Sequence, residues 1–318
     1  MRLPRKQLVL SVAVAVALLG LSAGCSSLDQ WQRRAIFQHE HALNVDNRFV
    51  PGEVTEFDLE VPGGGLTGKD KVHAWYMAAA KPNAPTLLYL HGARHNLYGN
   101  ASRIERLQEL GFNVLALDYR GFGKSTRILP SEQTAIEDVK LAFAELQRRE
   151  PDAGKRFVYG YSLGGALAIA LAHDVDGMAG VIIESSFTSI PDVVRTMRWG
   201  WLPFLNLAVT QEFNSEARIG RVNEPLLFLH GTADGIVPHS MSDRLLAAAR
   251  GVPAEYKQVI KIDGASHRGA LAMAVADYGD TLSQFVRKAG SRAALFAAGA
   301  SAPIVATGAA QATTVGLR

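Results

Sequence analysis

The stretch FVYGYSLGGA (residues 157–166) places a serine between two closely spaced glycines, directly after a run of strand-forming residues. Its core, GYSLG, has the spacing G-x-S-x-G, which is typical of a sharp turn from a strand into a helix. Such a turn holds the serine hydroxyl above the carboxyl edge of a sheet, and its glycines let the strand and the helix approach closely. We therefore predict that Ser162 is a nucleophile.

Strand-like runs on both sides of this turn give the order of the elements. They span residues 53–61, 72–78, 86–90, 114–118, 156–159, 181–184, 226–229 and 256–262. After the second run they alternate with helical patterns, which indicates a mostly parallel sheet covered by helices on both faces. The predicted fold class is therefore α/β with eight strands. The first two strands, joined by PGGGLTGKD, are predicted to form an antiparallel hairpin at one edge.

The start of the chain has the order of an export signal. A basic beginning is followed by an apolar stretch over residues 8–21 and by small residues that end at Cys25. The apolar stretch is shorter than the roughly 20 residues of a transmembrane helix. LSAGC resembles a bacterial lipobox, so Cys25 is the predicted site of lipid attachment. Through this lipid we expect the membrane as a partner, at the periplasmic face of the outer membrane of a bacterial envelope.

These boundaries predict four segments. They are a lipoprotein signal peptide over residues 1–24, a tether over 25–50, one α/β domain over 51–288 and a tail over 289–318. The tail is rich in Ala, Gly and Thr without a helical or strand period, which predicts a flexible end. With a single cysteine the chain has no internal disulfide, so the exported domain depends on its hydrophobic core.

Charge and glycine patterns argue against nucleic acid and nucleotide as ligands. The chain has 33 Lys+Arg and 30 Asp+Glu, and the signal peptide holds three of the former and none of the latter, so the mature protein is formally neutral. Gly63, Gly65 and Gly68 match G-x-G-x-x-G but precede a second strand instead of a helix. DYRGFGKST lacks the first glycine of a phosphate-binding loop, and no helical pattern begins at its lysine.

A serine nucleophile needs a base and an acid that orients the base. After a G-x-S-x-G turn, the expected chain order is Ser, then Asp or Glu, then His, each on a loop after a later strand. Asp234 lies five residues beyond the seventh strand, and His267 lies five residues beyond the eighth. Glu184, at the end of the sixth strand, is the reserve acid. His91 and His230 precede glycines at strand ends, and we predict that they shape those turns.

Backbone N–H groups are the expected donors to a developing oxyanion, because they need no reorganisation during the reaction. One is that of Leu163, at the start of the helix that follows the nucleophile. The second is expected from the loop after the third strand, LLYLHGARHN, where Gly92 permits a close approach. Ala93 is the predicted donor in this loop, and Arg94 is the alternative.

A series of motifs resembles the α/β-hydrolase superfamily from about residue 53 to residue 287. In the order of that family they are LHGARHN, DYRGFGKS, YGYSLGGALA, ESSFTSIPD, LHGTADGIVP and GASH. They look closest to the compact, almost lidless branch that includes eukaryotic acyl-protein thioesterases of the ABHD type and bacterial hydrolases of unassigned substrate. The resemblance implies a serine nucleophile, no metal and no organic cofactor, but it names no substrate, because this fold hosts many.

The predicted reaction is acyl transfer to water through an acyl-enzyme on Ser162, with His267 as base and Asp234 as its orienting acid. The apolar stretch MRWGWLPFLNLAV (residues 197–209) favours short to medium acyl esters or thioesters, either small molecules or lipid-like. A serine peptidase with the same triad remains an alternative. A non-catalytic envelope lipoprotein is a further alternative, although no triad residue is missing.

Overall fold

A computed structural model describes residues 26–39, 53–197, 209–273, 275–297 and 312–315. The predicted signal peptide, Cys25 and residues 198–208 of the apolar stretch lie outside the described residues. No helix within these ranges is long and apolar enough to cross a bilayer.

The structure is built on one sheet of nine strands, in the order β1-β2-β4-β3-β5-β6-β7-β8-β9. The strands are β1 Val54–Glu60, β2 Lys71–Met77, β3 Thr86–Leu90, β4 Asn113–Leu117, β5 Arg156–Tyr161, β6 Gly180–Glu184, β7 Leu226–Gly231, β8 Lys257–Ile262 and β9 Ala312–Val315. β1 and β2 form the antiparallel hairpin at one edge, β2 also pairs antiparallel with β4, and the other pairs are parallel. The α/β class, the edge hairpin and the eight predicted strands are confirmed.

Helices cover both faces of this sheet. They are α1 over residues 26–37, α2 Ala101–Glu109, α3 Glu132–Arg149, α4 Leu163–Asp174, α5 Ile190–Thr196, α6 Ser215–Ile219, α7 Ser240–Ala248, α8 Ala270–Met273 and α9 Val275–Ala297. One core lies between the sheet and α3, α4, α6 and α7, and the other lies between the sheet and α2, α8 and α9. Strand side chains alternate between the two cores: on β3, Leu88 faces the first and Tyr89 the second.

The predicted tether contains a helix that packs onto the domain. α1 occupies residues 26–37, and Phe37 at its end is fully buried. The ring of Phe37 lies 5.8 Å from that of Phe213 and 6.4 Å from that of Phe122, both in edge-on contact. The segment before the first strand therefore contributes to the core, because removal of the apolar aromatic ring from water stabilises the folded state.

The end of the chain also differs from its prediction. α9 continues to Ala297, nine residues beyond the predicted domain end at residue 288. The residues it adds include SRAALFA, and alanine has the highest intrinsic helix propensity, so this part of a low-complexity segment can continue a helix. β9 then extends the sheet by pairing parallel with β8. The predicted flexible tail thus carries a helix end and a ninth strand.

Candidate active site

The turn between β5 and α4 holds Ser162 in an unusual backbone conformation. Its φ is 54° and its ψ is −116°, in a region that residues other than glycine rarely adopt. Two hydrogen bonds fix the turn: the Ser162 N–H donates to the Glu184 carbonyl at 2.8 Å, and the Ser186 hydroxyl donates to the Ser162 carbonyl at 2.9 Å. The surrounding structure therefore maintains the strain and keeps the serine side chain at the carboxyl edge of the sheet.

The turn requires glycine at two positions, because a side chain at either one would collide with the backbone. A Cβ on Gly160 would lie 2.2 Å from the Gly164 carbonyl oxygen. A Cβ on Gly164 would lie 2.0 Å from the Leu90 carbonyl oxygen. Both distances are far inside van der Waals contact, and both neighbours are backbone atoms. The strand and the helix thus approach as closely as the sequence predicts.

Ser162, His267 and Asp234 form a continuous chain of hydrogen bonds. His267 Nε2 lies 3.0 Å from Ser162 Oγ, and His267 Nδ1 lies 2.7 Å from Asp234 Oδ2. Because an ionised carboxylate only accepts, Nδ1 carries the proton and donates it to Asp234, which leaves Nε2 free to accept from the serine hydroxyl. The structure therefore brings together the three residues that the motif order selects, in an arrangement able to activate the serine.

Asp234 sits in a pocket of hydrogen-bond donors. Its side chain is fully buried, and Oδ1 accepts the N–H groups of Ile236 and Val237, both at 2.9 Å. Oδ2 accepts from His267 and lies 3.1 Å from His230 Nε2. Burial alone would raise the pKa of Asp234, but the hydrogen bonds from the two histidines outweigh it and hold the pKa well below its usual value. The carboxylate is thus ionised when it orients the base.

His230 is part of this arrangement, a role that the sequence did not reveal. Its buried Nε2 lies 3.0 Å from the Val237 carbonyl and 3.1 Å from Asp234 Oδ2, so this nitrogen is the donor. Nδ1 then accepts from the Ser242 hydroxyl at 2.6 Å. The prediction for His230 was confined to its turn, although its position at the end of β7, four residues before Asp234 on the following loop, could have indicated the contact.

Glu184, the reserve acid, has other partners. Its Oε2 accepts from the Arg103 guanidinium and from the Tyr159 hydroxyl, and the residue is completely buried. His267 makes its carboxylate contact with Asp234 and not with Glu184. Glu184 instead holds Arg103 beside the nucleophile turn.

The two predicted oxyanion donors are the backbone N–H groups of Leu163 and Ala93. Leu163 is the first residue of α4, so its N–H has no partner within the helix. In the loop after β3, the Arg94 N–H donates to the Phe37 carbonyl at 2.9 Å and is therefore already engaged. This leaves Ala93 as the better candidate in that loop. Gly92 beside it packs against the serine turn, where a Cβ would lie 3.1 Å from the neighbouring tyrosine ring.

His91 is a buried residue that contacts the backbone of the same loop. It is fully buried, and its Nδ1 lies 2.7 Å from the Gly92 carbonyl oxygen. Burial lowers the pKa of His91 to about 4, so the imidazole is neutral at ordinary pH. The structure is consistent with the predicted part of His91 in shaping the turn. Within the described ranges, no group of three or more His, Cys, Asp or Glu side chains is arranged to hold a metal ion.

Comparisons with known proteins identify the family of the chain. Residues 81–211 match the family described as serine aminopeptidase, S33. The uncharacterized protein YfhR of Escherichia coli strain K12 is 30% identical over 217 residues, which are 65% of this chain and 73% of that protein. Protein bem46 of Schizosaccharomyces pombe is 35% identical over 193 residues, which are 58% of this chain and 64% of that protein.

Solved structures show a similar fold at lower sequence identity. The esterase Pf2001 of Pyrococcus furiosus is 19% identical to this chain and superposes with a TM-score of 0.62. The match covers 77% of this chain and 96% of that structure. At this identity the similarity concerns the fold alone.

Proposed function

Because the chain belongs to the α/β-hydrolase superfamily, we propose that it is a serine hydrolase that transfers the acyl group of an ester or thioester to water. The observation that carries the proposal is the hydrogen-bonded chain from Ser162 through His267 to Asp234, with Ser162 at a strained strand-to-helix turn. Strained backbone maintained by its surroundings is characteristic of functional sites.

The proposed mechanism has two halves. In the first, Ser162 Oγ attacks the acyl carbon while His267 Nε2 takes its proton, and the N–H groups of Leu163 and Ala93 stabilise the oxyanion. His267 then gives that proton to the departing alcohol or thiol, which leaves an acyl ester on Ser162. In the second half, His267 takes a proton from water as the water attacks this ester, and the acid and free serine are released. Asp234 keeps the imidazole oriented and stabilises its charged form in both halves.

A covalent probe tests the nucleophile directly. A fluorophosphonate should label the wild-type protein and the control variant Ser240→Ala, which alters an exposed serine at the start of α7. Ser162→Ala should remain unlabelled, because the probe reacts only with an activated serine. Equal labelling of Ser162→Ala would contradict the assignment.

The apolar stretch around residues 197–209 supports an acyl substrate. Met197 at its start is exposed, and residues 198–208, including Trp201 and Phe204, lie outside the described residues. We propose that these side chains contact the acyl chain. Each buried methylene contributes about 0.8 kcal/mol, so kcat/KM should rise about fourfold per methylene along a p-nitrophenyl ester series until the pocket is full. Trp201→Ala and Phe204→Ala should reduce the rate for long chains more than for acetate.

A peptidase is the second candidate, and the description of the matching family as a serine aminopeptidase favours it. The same triad would serve amide hydrolysis, but a peptidase must also hold a peptide terminus. Aminoacyl anilides measured beside the ester series separate the two. A flat chain-length profile combined with faster anilide cleavage would support the peptidase. The absence of turnover on every ester, thioester and anilide would favour a non-catalytic envelope protein.

Lipid attachment at Cys25 would place this chemistry at a membrane. We propose that the mature protein is anchored there, at the periplasmic face of the outer membrane, and meets lipid-like acyl substrates at the bilayer surface. The proposal is supported by the order of charges and apolar residues before Cys25.

A further inference from the structure

A cavity of about 300 Å³ opens beside the candidate active site, between α2 and the loop that carries His267. The residues that matter in its lining are Ser102, Arg103, Arg106, Tyr161, Arg268 and Leu271. Three of the described residues that line it are arginines, and none is an aspartate or a glutamate. The sequence motifs do not point to this cavity, since its arginines come from α2 and from a loop more than 160 residues later.

The cavity adjoins the reacting groups. Tyr161 directly precedes Ser162, and its ring centroid lies 5.4 Å from that of the His267 imidazole. Arg268 directly follows His267 in the chain and is exposed. A group bound in this cavity would therefore lie next to the pair that exchanges the proton during the reaction.

Arg103 forms a fixed, charged wall of the cavity. Its Cζ lies over the Tyr161 ring, 4.2 Å from the ring centroid, and its guanidinium donates to the Glu184 carboxylate and to the Arg268 carbonyl, the latter at 3.3 Å. Burial works against its charge, but the nearby Glu184 carboxylate outweighs burial and raises the pKa of Arg103 further. Glu184 therefore balances the charge of Arg103, whose main effect is to hold Tyr161 and the Arg268 backbone in place.

Arg268 supplies positive charge that no acid balances. Its Nη1 lies 2.8 Å from His95 Nε2, and none of the carboxylates that the structure describes forms an ion pair with it. By contrast, Arg106 on the opposite wall is paired with Glu109 at 2.8 Å. Arg268 is thus an exposed guanidinium in the cavity lining that no described carboxylate pairs with, and its other N–H groups can donate to an anion. A guanidinium matches the geometry of carboxylates and phosphates, which it can bind through two parallel hydrogen bonds.

We propose that this cavity binds a carboxylate or phosphate carried by the leaving group of the substrate, with Arg268 as the principal contact. The proposal rests on the proposed function. In that mechanism His267 gives its proton to the departing oxygen or sulfur, so the leaving group must lie on the His267 side of the serine. The Tyr161 ring packs against that imidazole, and Arg268 directly follows His267 in the chain, so the cavity lies on this side of the serine. The substrates that fit are acyl esters or thioesters of anionic alcohols or thiols.

A matched pair of esters tests the charge preference. The butanoyl ester of 4-hydroxybenzoate and that of methyl 4-hydroxybenzoate differ in one charge on the leaving group. The quantity to compare is the ratio of their kcat/KM values, each first divided by the uncatalysed hydrolysis rate. Arg268→Gln should lower this ratio about three- to tenfold, as expected for one partly exposed guanidinium contact with an anion. Arg250→Gln, which removes the same charge from an exposed site after α7, should leave the ratio unchanged.

Two further comparisons sharpen the result. Raising the ionic strength should shrink the wild-type preference and have little effect on the ratio of Arg268→Gln, because salt screens exposed charges. Butanoyl glycerol 3-phosphate compared with butanoyl glycerol separates the two sources of anion. A larger preference in this pair than in the benzoate pair would identify a phosphorylated headgroup, and a smaller one would identify a carboxylate.

Three results would overturn the inference. Equal ratios in wild type and Arg268→Gln would remove Arg268 from leaving-group recognition while the proposed hydrolase function stood. A preference for mono-4-nitrophenyl glutarate over its methyl ester, without one in the benzoate pair, would place the anion on the acyl side instead. Failure to cleave either benzoate ester or to react with the fluorophosphonate would remove the proposed function, and the inference with it.

Discussion

Asp234→Asn should disable the candidate active site while keeping its shape, because the donors around Asp234 dictate the orientation of the new amide. Oδ1 of the carboxylate accepts two backbone N–H groups, those of Ile236 and Val237, at 2.9 Å each. The amide oxygen must take this position, since an NH₂ group there would face two donors. The NH₂ group then takes the Oδ2 position and faces His267 Nδ1, which is 2.7 Å from Oδ2 in the native protein. His230 Nε2 loses Oδ2 as an acceptor there but keeps the Val237 carbonyl at 3.0 Å.

This orientation forces the wrong tautomer on the base. Opposite an NH₂ donor, His267 Nδ1 must accept, so the proton of the neutral imidazole moves to Nε2. Nε2 then faces Ser162 Oγ at 3.0 Å as a donor and can no longer take the serine proton. A triad that holds the wrong tautomer loses about 10⁴-fold in kcat. That loss corresponds to roughly 5 kcal/mol of transition-state stabilisation.

The assay is steady-state hydrolysis of p-nitrophenyl butyrate, with near-ultraviolet circular dichroism and the unfolding temperature as checks on the fold. Asp263→Asn is the matched control, because Asp263 is an exposed carboxylate near His267 whose Oδ1 accepts the Thr232 hydroxyl at 3.0 Å. This control should stay within a factor of about two of wild type, as expected for an exposed substitution. Activity of a folded Asp234→Asn protein within tenfold of wild type would refute the tautomer reasoning.

Four other predictions address the turn, the pH profile, the N-terminal helix and the lipid. Gly164→Ala should abolish activity or prevent folding, because its Cβ would lie 2.0 Å from the Leu90 carbonyl oxygen; soluble expression and fluorophosphonate labelling at wild-type levels would contradict this. Asp234 should add nothing to the acid limb of kcat/KM above pH ~4, because its pKa is held far below its usual value; a limb with a slope of two would show that Asp234 also titrates. Phe37→Ala should lower the free energy of unfolding by about 3 kcal/mol in urea titrations, since the ring is fully buried, and an unchanged midpoint would mean that α1 is not docked in solution. Cys25→Ser should no longer incorporate labelled fatty acid in a bacterial host or fractionate with membranes, and label that survives the substitution would disprove lipid attachment at this residue.

The sequence predicts the sheet and the meeting of the candidate catalytic residues well, for a physical reason. In a parallel sheet the carboxyl ends of the strands meet at one edge, so loops after β5, β7 and β8 must converge there. Chain order together with one G-x-S-x-G turn then selects Ser162, Asp234 and His267. The three residues are hydrogen-bonded in the structure, because the serine turn and the loops after β7 and β8 all lie at the carboxyl edge of the sheet.

The cavity beside the serine could not be predicted in the same way. Arg103, Tyr161 and Arg268 belong to three separate segments, and their contacts depend on how α2 packs beside β5 and on the side-chain conformations chosen there. No residue spacing encodes such a meeting. The docking of α1 was missed for a related reason: Phe37 packs on Phe122 and Phe213, which are distant in sequence, and Gln32 accepts the N–H of Thr210, which is equally distant.

The position of α1 determines where the gene can be shortened for expression of a soluble enzyme. A version that begins just before β1 would include every predicted strand and all three triad residues. The sequence prediction alone would therefore treat it as the whole domain. This version would nevertheless discard Phe37, whose ring fills space between two other aromatic rings and whose carbonyl accepts the Arg94 N–H in the loop that carries Ala93. Such a version would lose a core contact and the acceptor of the Arg94 N–H, so low activity in it would not argue against the proposed function. Removal of the predicted signal peptide should stop at Cys25, which keeps residues 26–37 in the expressed protein.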